Sequence, residues 1–271
     1  MDADDNGRSP VNGGLHGQVV DVLGREISAG EHPPGTVLRI DELEARFGIS
    51  RSVAREVVRT LASIRLVIGR KRVGIVVRPR EEWNTFDPAL IRWLLLSDRT
   101  GQVRTLVELR TAVEPVAAGI AARRASDEDA AKLVGLAERM VATARSGDLE
   151  SFLAADVEFH ALVLSASGNE MFAQLRDVFA EVLRWRTGHG LMPPHPEPVA
   201  VRLHCEIAEC VRAGDRDRAE GAMRELVAEA LEGTLEQLAA VEARDGSAVE
   251  ARDGSAEEAR GGPAEQARAD Q

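Results

Sequence analysis

The chain has 271 residues, 44% of them apolar and 29% charged, which is enough for two packed cores and too long for a single small module. Aromatics make up only 3% and tyrosine is missing, which excludes an aromatic-lined carbohydrate cleft or a stacking platform for single strands. The formal charge of −11 argues against nucleic acid only until its distribution is read: residues 46–80 hold ten arginines and lysines against the single Glu56.

Residues 1–12 are polar and rich in Asp, Asn and Gly, and read as a disordered N-terminus. Leu15, Val19, Val22, Leu23 and Ile27 recur at helical spacing up to Gly30, and Pro33-Pro34-Gly35 then makes a turn. Asp41 is placed to cap a short second helix that Gly48 stops, and Ser50 to cap a third running to about Ile64. Two β-branched runs, Leu66 to Ile68 and Val73 to Val77, flank the basic turn Gly69-Arg70-Lys71-Arg72. Three helices and a basic hairpin within residues 13–78 predict a winged helix-turn-helix.

Residues 79–88 read as a linker, and residues 89–240 as a second domain. Amphipathic segments recur there at about 102–124, 127–146, 148–166, 169–187, 199–213 and 215–240, without strand alternation, which predicts an all-α helical bundle. The fold class expected is therefore mainly α. Residues 241–271 decay into an octad repeat around Gly, read as a low-complexity, disordered tail. No apolar run reaches the roughly 20 residues of a membrane span, and Cys205 and Cys210 read as reduced thiols, so a cytoplasmic protein is expected.

The chemistry divides between the two domains. Arg51 and Arg55, four apart at the start of the third helix, project to one side, where an arginine fork can grip guanine or hold phosphates. Ser50 and Ser52 can bond phosphate at the helix N-terminus. Arg70, Lys71 and Arg72 suit a wing on the DNA backbone, with Gly74 allowing close approach. In the second domain Asp156 and His160 share a helix face and can hold a divalent metal, with His204 a third candidate; the alternative for such a pair is a plain hydrogen bond. Arg110 and Glu114 form an i,i+4 ion pair, or Arg110 turns inward among Leu106, Leu109 and Val113 toward an anionic ligand.

Residues 15–78 resemble the winged helix of GntR-type transcription regulators, through Pro34-Gly35, Asp41-Glu42-Leu43, Phe47-Gly48-Ile49-Ser50-Arg51, Arg55-Glu56 and Arg72 with Gly74. Residues 86–235 resemble the FCD effector domain of the FadR subfamily, through Phe86-Asp87-Pro88, Glu108-Leu109-Arg110, Val113-Glu114-Pro115, Asp156 to His160, Ser165 to Asn169 and His204. The resemblance implies a homodimeric repressor on a palindromic operator in double-stranded DNA, whose helical domain binds a small organic acid such as a sugar acid. It further implies a divalent metal (zinc, nickel or manganese) on Asp156, His160 and His204, although Leu226 stands where a fourth ligand is expected. Arg110, Asn169 and Trp185 are the effector-binding candidates. The competing expectation is a metal-dependent hydrolase or lyase joined to a DNA-binding head, disfavoured because no catalytic motif or triad can be assembled.

Overall fold

A computed structural model of the chain describes residues 14–189, 195–230, 233–234 and 236–238, so the tails expected at 1–12 and 241–271 lie outside it. The N-terminal unit runs α1 (Leu15–Ser28), β1 (Val37–Leu38), α2 (Ile40–Phe47), α3 (Arg51–Ser63), β2 (Val67–Arg70) and β3 (Gly74–Val77). The strands form an antiparallel sheet in the order β1-β3-β2, with Val37 and Ile68 both opposite Val76. Of the expected helical stripe of α1, Val19, Leu23 and Ile27 join Leu61 and Leu66 in one core, whereas Leu15 and Val22 are exposed. Leu23, Leu61 and Leu66 are fully buried, each stabilising the fold by about 1.5–3 kcal/mol relative to exposure.

Gly48 ends α2 in the left-handed conformation (φ 61°), and Ser50 caps α3 by accepting a hydrogen bond from Val53 N. One detail differs from expectation. Helix α2 begins at Ile40 with Arg39 at the cap position, so Asp41 lies inside the first turn; its charge there favours the helix dipole without capping.

Residues 79–88 are held closely to the head. A short 3-10 turn spans Arg80–Glu82, Trp83 is buried with its Nε1 donating to Arg78 O (3.0 Å), and Asn84 N donates to Ile64 O. Asp87 then caps α4 (Pro88–Ser97) through Ala89 N and Leu90 N. Helix α4 belongs to both cores: Leu90, Trp93 and Leu94 pack with the head, whereas Ile91 and Leu95 pack with the body. Trp93 Nε1 donates to Asp21 on α1 (2.8 Å), and its ring lies flat against the bare Cα of Gly24.

The body comprises α5 (Arg99–Arg124), α6 (Asp127–Ser146), α7 (Leu149–Ala166), α8 (Glu170–Ala173), α9 (Arg176–Gly188), α10 (Pro198–Ala213) and α11 (residues 216–230). They enclose one apolar core that includes Leu133, Met140, Phe159, Phe179 and Met223. The segment expected as a single helix over 169–187 is two, α8 and α9, separated at Gln174 and Leu175. No helix among the described residues is long and apolar enough to cross a membrane.

Candidate functional site

On the head, Ser50, Arg51, Ser52 and Arg55 all lie exposed at the start of α3. Ser50 and Ser52 face each other, with Oγ atoms 2.9 Å apart. Neither Arg51 nor Arg55 makes an ion pair among the described residues, whereas Arg59, further along the helix, is taken by Glu56. Arg70, Lys71 and Arg72 are exposed at the hairpin turn, also without an ion pair among the described residues, and Arg72 adopts a left-handed φ of 65°. These side chains are therefore available to an external polyanion. Gly74 has a demonstrable packing reason of its own. A Cβ there would meet Val37 Cγ1 at 2.9 Å, so glycine is needed for β3 to approach β1 inside the sheet.

In the body, α5, α7, α9, α10 and α11 surround a chamber of about 390 Å³. Asp156 and His160 on α7 meet His204 on α10, all three buried and with ligand atoms within 4.8 Å of one another. The Nε2 atoms of His160 and His204 lie 3.3 and 3.2 Å from the same oxygen, Asp156 Oδ1. His204 Nδ1 donates to Ala200 O (2.7 Å), and its Nε2 is directed at Asp156. His160 Nδ1 lies 3.2 Å from Glu114 Oε2, within ion-pair reach although poorly aligned for a hydrogen bond. Both rings thus have an oxygen behind Nδ1, as metal-ligating histidines commonly do; His204 Nε2 is hydrogen-bonded to Asp156, whereas His160 Nε2, near the same carboxylate, has Arg110 Nη2 as its hydrogen-bond partner (3.3 Å).

The electrostatics keep the two buried carboxylates ionised. Burial alone would raise the Asp156 carboxyl, but hydrogen bonds from His160 and His204 outweigh it and hold it well below the usual range. Burial likewise opposes the charge on Glu114, and Arg110 with His160 reverses that, setting it at about 2. His160 is depressed by burial but raised overall by Glu114 and Asp156. Arg110 is buried, with its fork engaged: Nε and Nη2 donate to the two oxygens of Glu114, each at 3.1 Å. Arg110 thus pairs with Glu114 and at the same time lines the chamber.

Leu226 lines the chamber at the place of the expected fourth ligand and offers no donor atom. Asn169 and Trp185 are not among the lining residues. Asn169 caps α8 by accepting from Met171 N, and Trp185 is buried in a stack with His189. Glu158 points outward to Arg139, as its offset from Asp156 requires. A lining residue that spacing alone did not single out is Arg186 on α9. Its position completes an apolar stripe with Phe179, Val182 and Leu183, which is the signal that would have placed it inward.

Residues 15–77 match the family described as bacterial regulatory proteins, gntR family, and residues 105–229 match the FCD domain. The chain is 31% identical to the galactonate operon transcriptional repressor of Escherichia coli K12, over 78% of this chain and 93% of that one. The chain belongs to the gntR family. This gntR-family chain is also 29% identical to the HTH-type transcriptional regulator YieP of the same organism, over 76% of this chain and 89% of that one. The solved structure of Lar from Listeria monocytogenes shares the fold, with a TM-score of 0.51 and 18% identity over 85% of this chain and 99% of that one. The chain is accordingly a transcriptional regulator with a DNA-binding head and an FCD domain, and its relatives are regulators, not enzymes, which sets the hydrolase or lyase reading aside.

Proposed function

We propose that this regulator represses transcription as a homodimer on a palindromic operator, and that a small organic acid in the chamber changes its grip on DNA. The observation that carries this reading is the joining of two features through one shared helix. The head offers cations without an ion pair among the described residues at the α3 N-terminus and the hairpin turn, the body offers a half-open chamber with charged and polar groups in its wall, and α4 is packed into both cores. A single recognition helix reads one major-groove half-site, so two heads at fixed spacing are needed for a two-fold operator. The galactonate operon repressor, as the named relative, supports a sugar acid as effector class. A cytoplasmic location follows from this role.

The donor set suits a divalent ion such as zinc, nickel or manganese, because one carboxylate and two imidazoles converge with their outer nitrogens already oriented. When bound, such an ion supplies a fixed positive charge with coordination positions open to an oxygen ligand. Asp156 contributes the anionic ligand and His160 and His204 the neutral ones. Arg110 and Glu114, clamped to each other, hold the His160 ring in place.

A route from chamber to head is built from contacts. Helix α9 lines the chamber with Leu183 and Arg186 and, one turn back, holds the buried Glu181 against Arg92 of α4 (2.9 Å). The neighbouring Trp93 is bonded to α1. An acid that draws α9 inward therefore pulls on the helix that seats the head.

Two variants test the reading. R51A and R55A should each weaken binding to the operator about 10- to 100-fold in gel retardation at physiological salt, the loss expected for an arginine fork on a base or paired phosphates. Unchanged affinity in both would remove α3 from the interface. H160A should lose bound metal, measured by elemental mass spectrometry on the purified protein; equal metal content in H160A and wild type would dissolve the Asp156-His160-His204 site.

A further inference from the structure

The wall of the chamber contains two buried polar atoms with no hydrogen-bond partner, besides the His160 nitrogen that faces Glu114: Arg186 Nε and Gln237 Oε1. Each is a cost to the empty fold, because a buried donor or acceptor left unpaired forfeits its hydration without compensation. They are of opposite kinds, a cationic donor and a neutral acceptor, and they line the same space.

Glu197, Glu229 and Glu236 also line that space, yet of its two guanidiniums Arg186 is the one that no carboxylate holds in an ion pair among the described residues. Arg110 is matched in both charge and geometry by Glu114. Asp156 has the Nε2 atoms of His160 and His204 beside it at 3.3 and 3.2 Å. Arg186 makes no ion pair and no hydrogen bond among the described residues, and Asp156 and Glu229 act on it only through space. Burial pushes its guanidinium below the usual arginine value in spite of those two carboxylates, so the charge is poorly solvated where it stands. A guanidinium in this state has a fork of donors ready for a planar two-oxygen anion.

We infer that Arg186, and not Arg110, is the counter-ion for the effector's carboxylate, and that Gln237 accepts a hydroxyl of the same molecule, so that the chamber selects a hydroxylated carboxylate. The inference rests on the proposed small-acid function and adds to it the anchoring residues and the requirement for a hydroxyl. A carboxylate alone would leave Gln237 unpaired, and a neutral polyol would leave Arg186 uncompensated. Each half-ligand therefore loses much of the gain, since buried polar groups built to bond a ligand penalise the analogue that lacks the matching group.

Calorimetric titration of the full-length protein tests this, with galactonate, gluconate and lactate as hydroxylated acids, galactitol as the uncharged polyol and hexanoate as the plain acid. At least one hydroxylated acid should bind wild type, and both galactitol and hexanoate should bind more weakly than it does. R186M should weaken that acid about 30-fold or more, and R186K should recover part of the loss. Q237L should shrink the preference for the hydroxylated acid over hexanoate. Because R186M removes an uncompensated buried charge, the ligand-free variant should melt no lower than wild type.

Failure of every acid to bind wild type would overturn the small-acid function itself. Acid binding by wild type that R186M leaves undiminished would overturn the Arg186 assignment alone. A lower melting temperature for ligand-free R186M with acid affinity intact would show that Arg186 serves as a partner for Glu229 in the packing of α11, which also overturns the assignment. An undiminished preference in Q237L would remove the hydroxyl contact and leave the carboxylate contact standing.

Discussion

Glu26 shows how one side chain orders the head. Its carboxylate accepts from both terminal nitrogens of Arg46 on α2 and lies 3.1 Å from His32 Nε2, so it ties α1 to the helix that precedes α3. The Arg46 hydrogen bond lowers the Glu26 carboxyl, against a smaller opposing effect of burial. A carboxyl depressed in the folded state contributes stability above its unfolded value, near 4.3, and that contribution disappears as pH falls through the depressed folded value. E26Q should therefore cost up to about 1 kcal/mol at pH 7, limited by the exposure of Arg46, with the gap to wild type closing below about pH 4 in urea unfolding. A gap that persists at pH 2 would mean the loss is one of packing and not of charge. At this scale the sequence was informative where local spacing carried the geometry. Asp156 and His160 at i,i+4 had to share a face, and His204 met them through tertiary packing that the family resemblance indicated. The orphan state of Arg186 and Gln237 was not legible, because it depends on which groups fail to arrive from four other helices.

Helix α4 is the element on which the two halves depend. Gly24 lets the Trp93 ring lie on α1: a Cβ there would sit 2.4–2.5 Å from three ring atoms, and the ring is held by Asp21. Alanine is the better helix former by about 1 kcal/mol, but overpacking against a fixed ring costs about 1–3 kcal/mol, so the clash prevails. G24A should lower the melting temperature and alter tryptophan fluorescence; a variant more stable than wild type would show that α4 is free to move away from α1. The run Ala89 to Leu96 showed no helical periodicity in sequence because α4 is buried on two sides, with Leu90 and Trp93 toward one core and Ile91 and Leu95 toward the other. The two-residue strand β1 is too short to leave a pattern. The break between α8 and α9 has no glycine or proline to mark it, since Gln174 and Leu175 both keep near-helical dihedrals. By contrast, the longer helices announced themselves: 127–146 is framed by Ser126 as a cap and by Gly147 in the left-handed region.

For the whole molecule the question is whether chamber and head share one equilibrium. The contacts that join them are few and specific: Glu181 on α9 to Arg92 on α4, then Trp93 to Asp21 on α1. E181Q should leave the separate affinities for acid and for operator within about twofold while reducing their coupling, which is typically 5- to 150-fold in such systems. Full coupling retained in E181Q would place the route elsewhere. The most direct test of the account is a reciprocal titration of the full-length protein with its operator fragment and a hydroxylated acid. The acid should change operator affinity by some factor, and the operator should change acid affinity by the same factor, as linkage requires. An acid that binds the chamber while operator affinity stays the same, over random competitor as over the site, would contradict it.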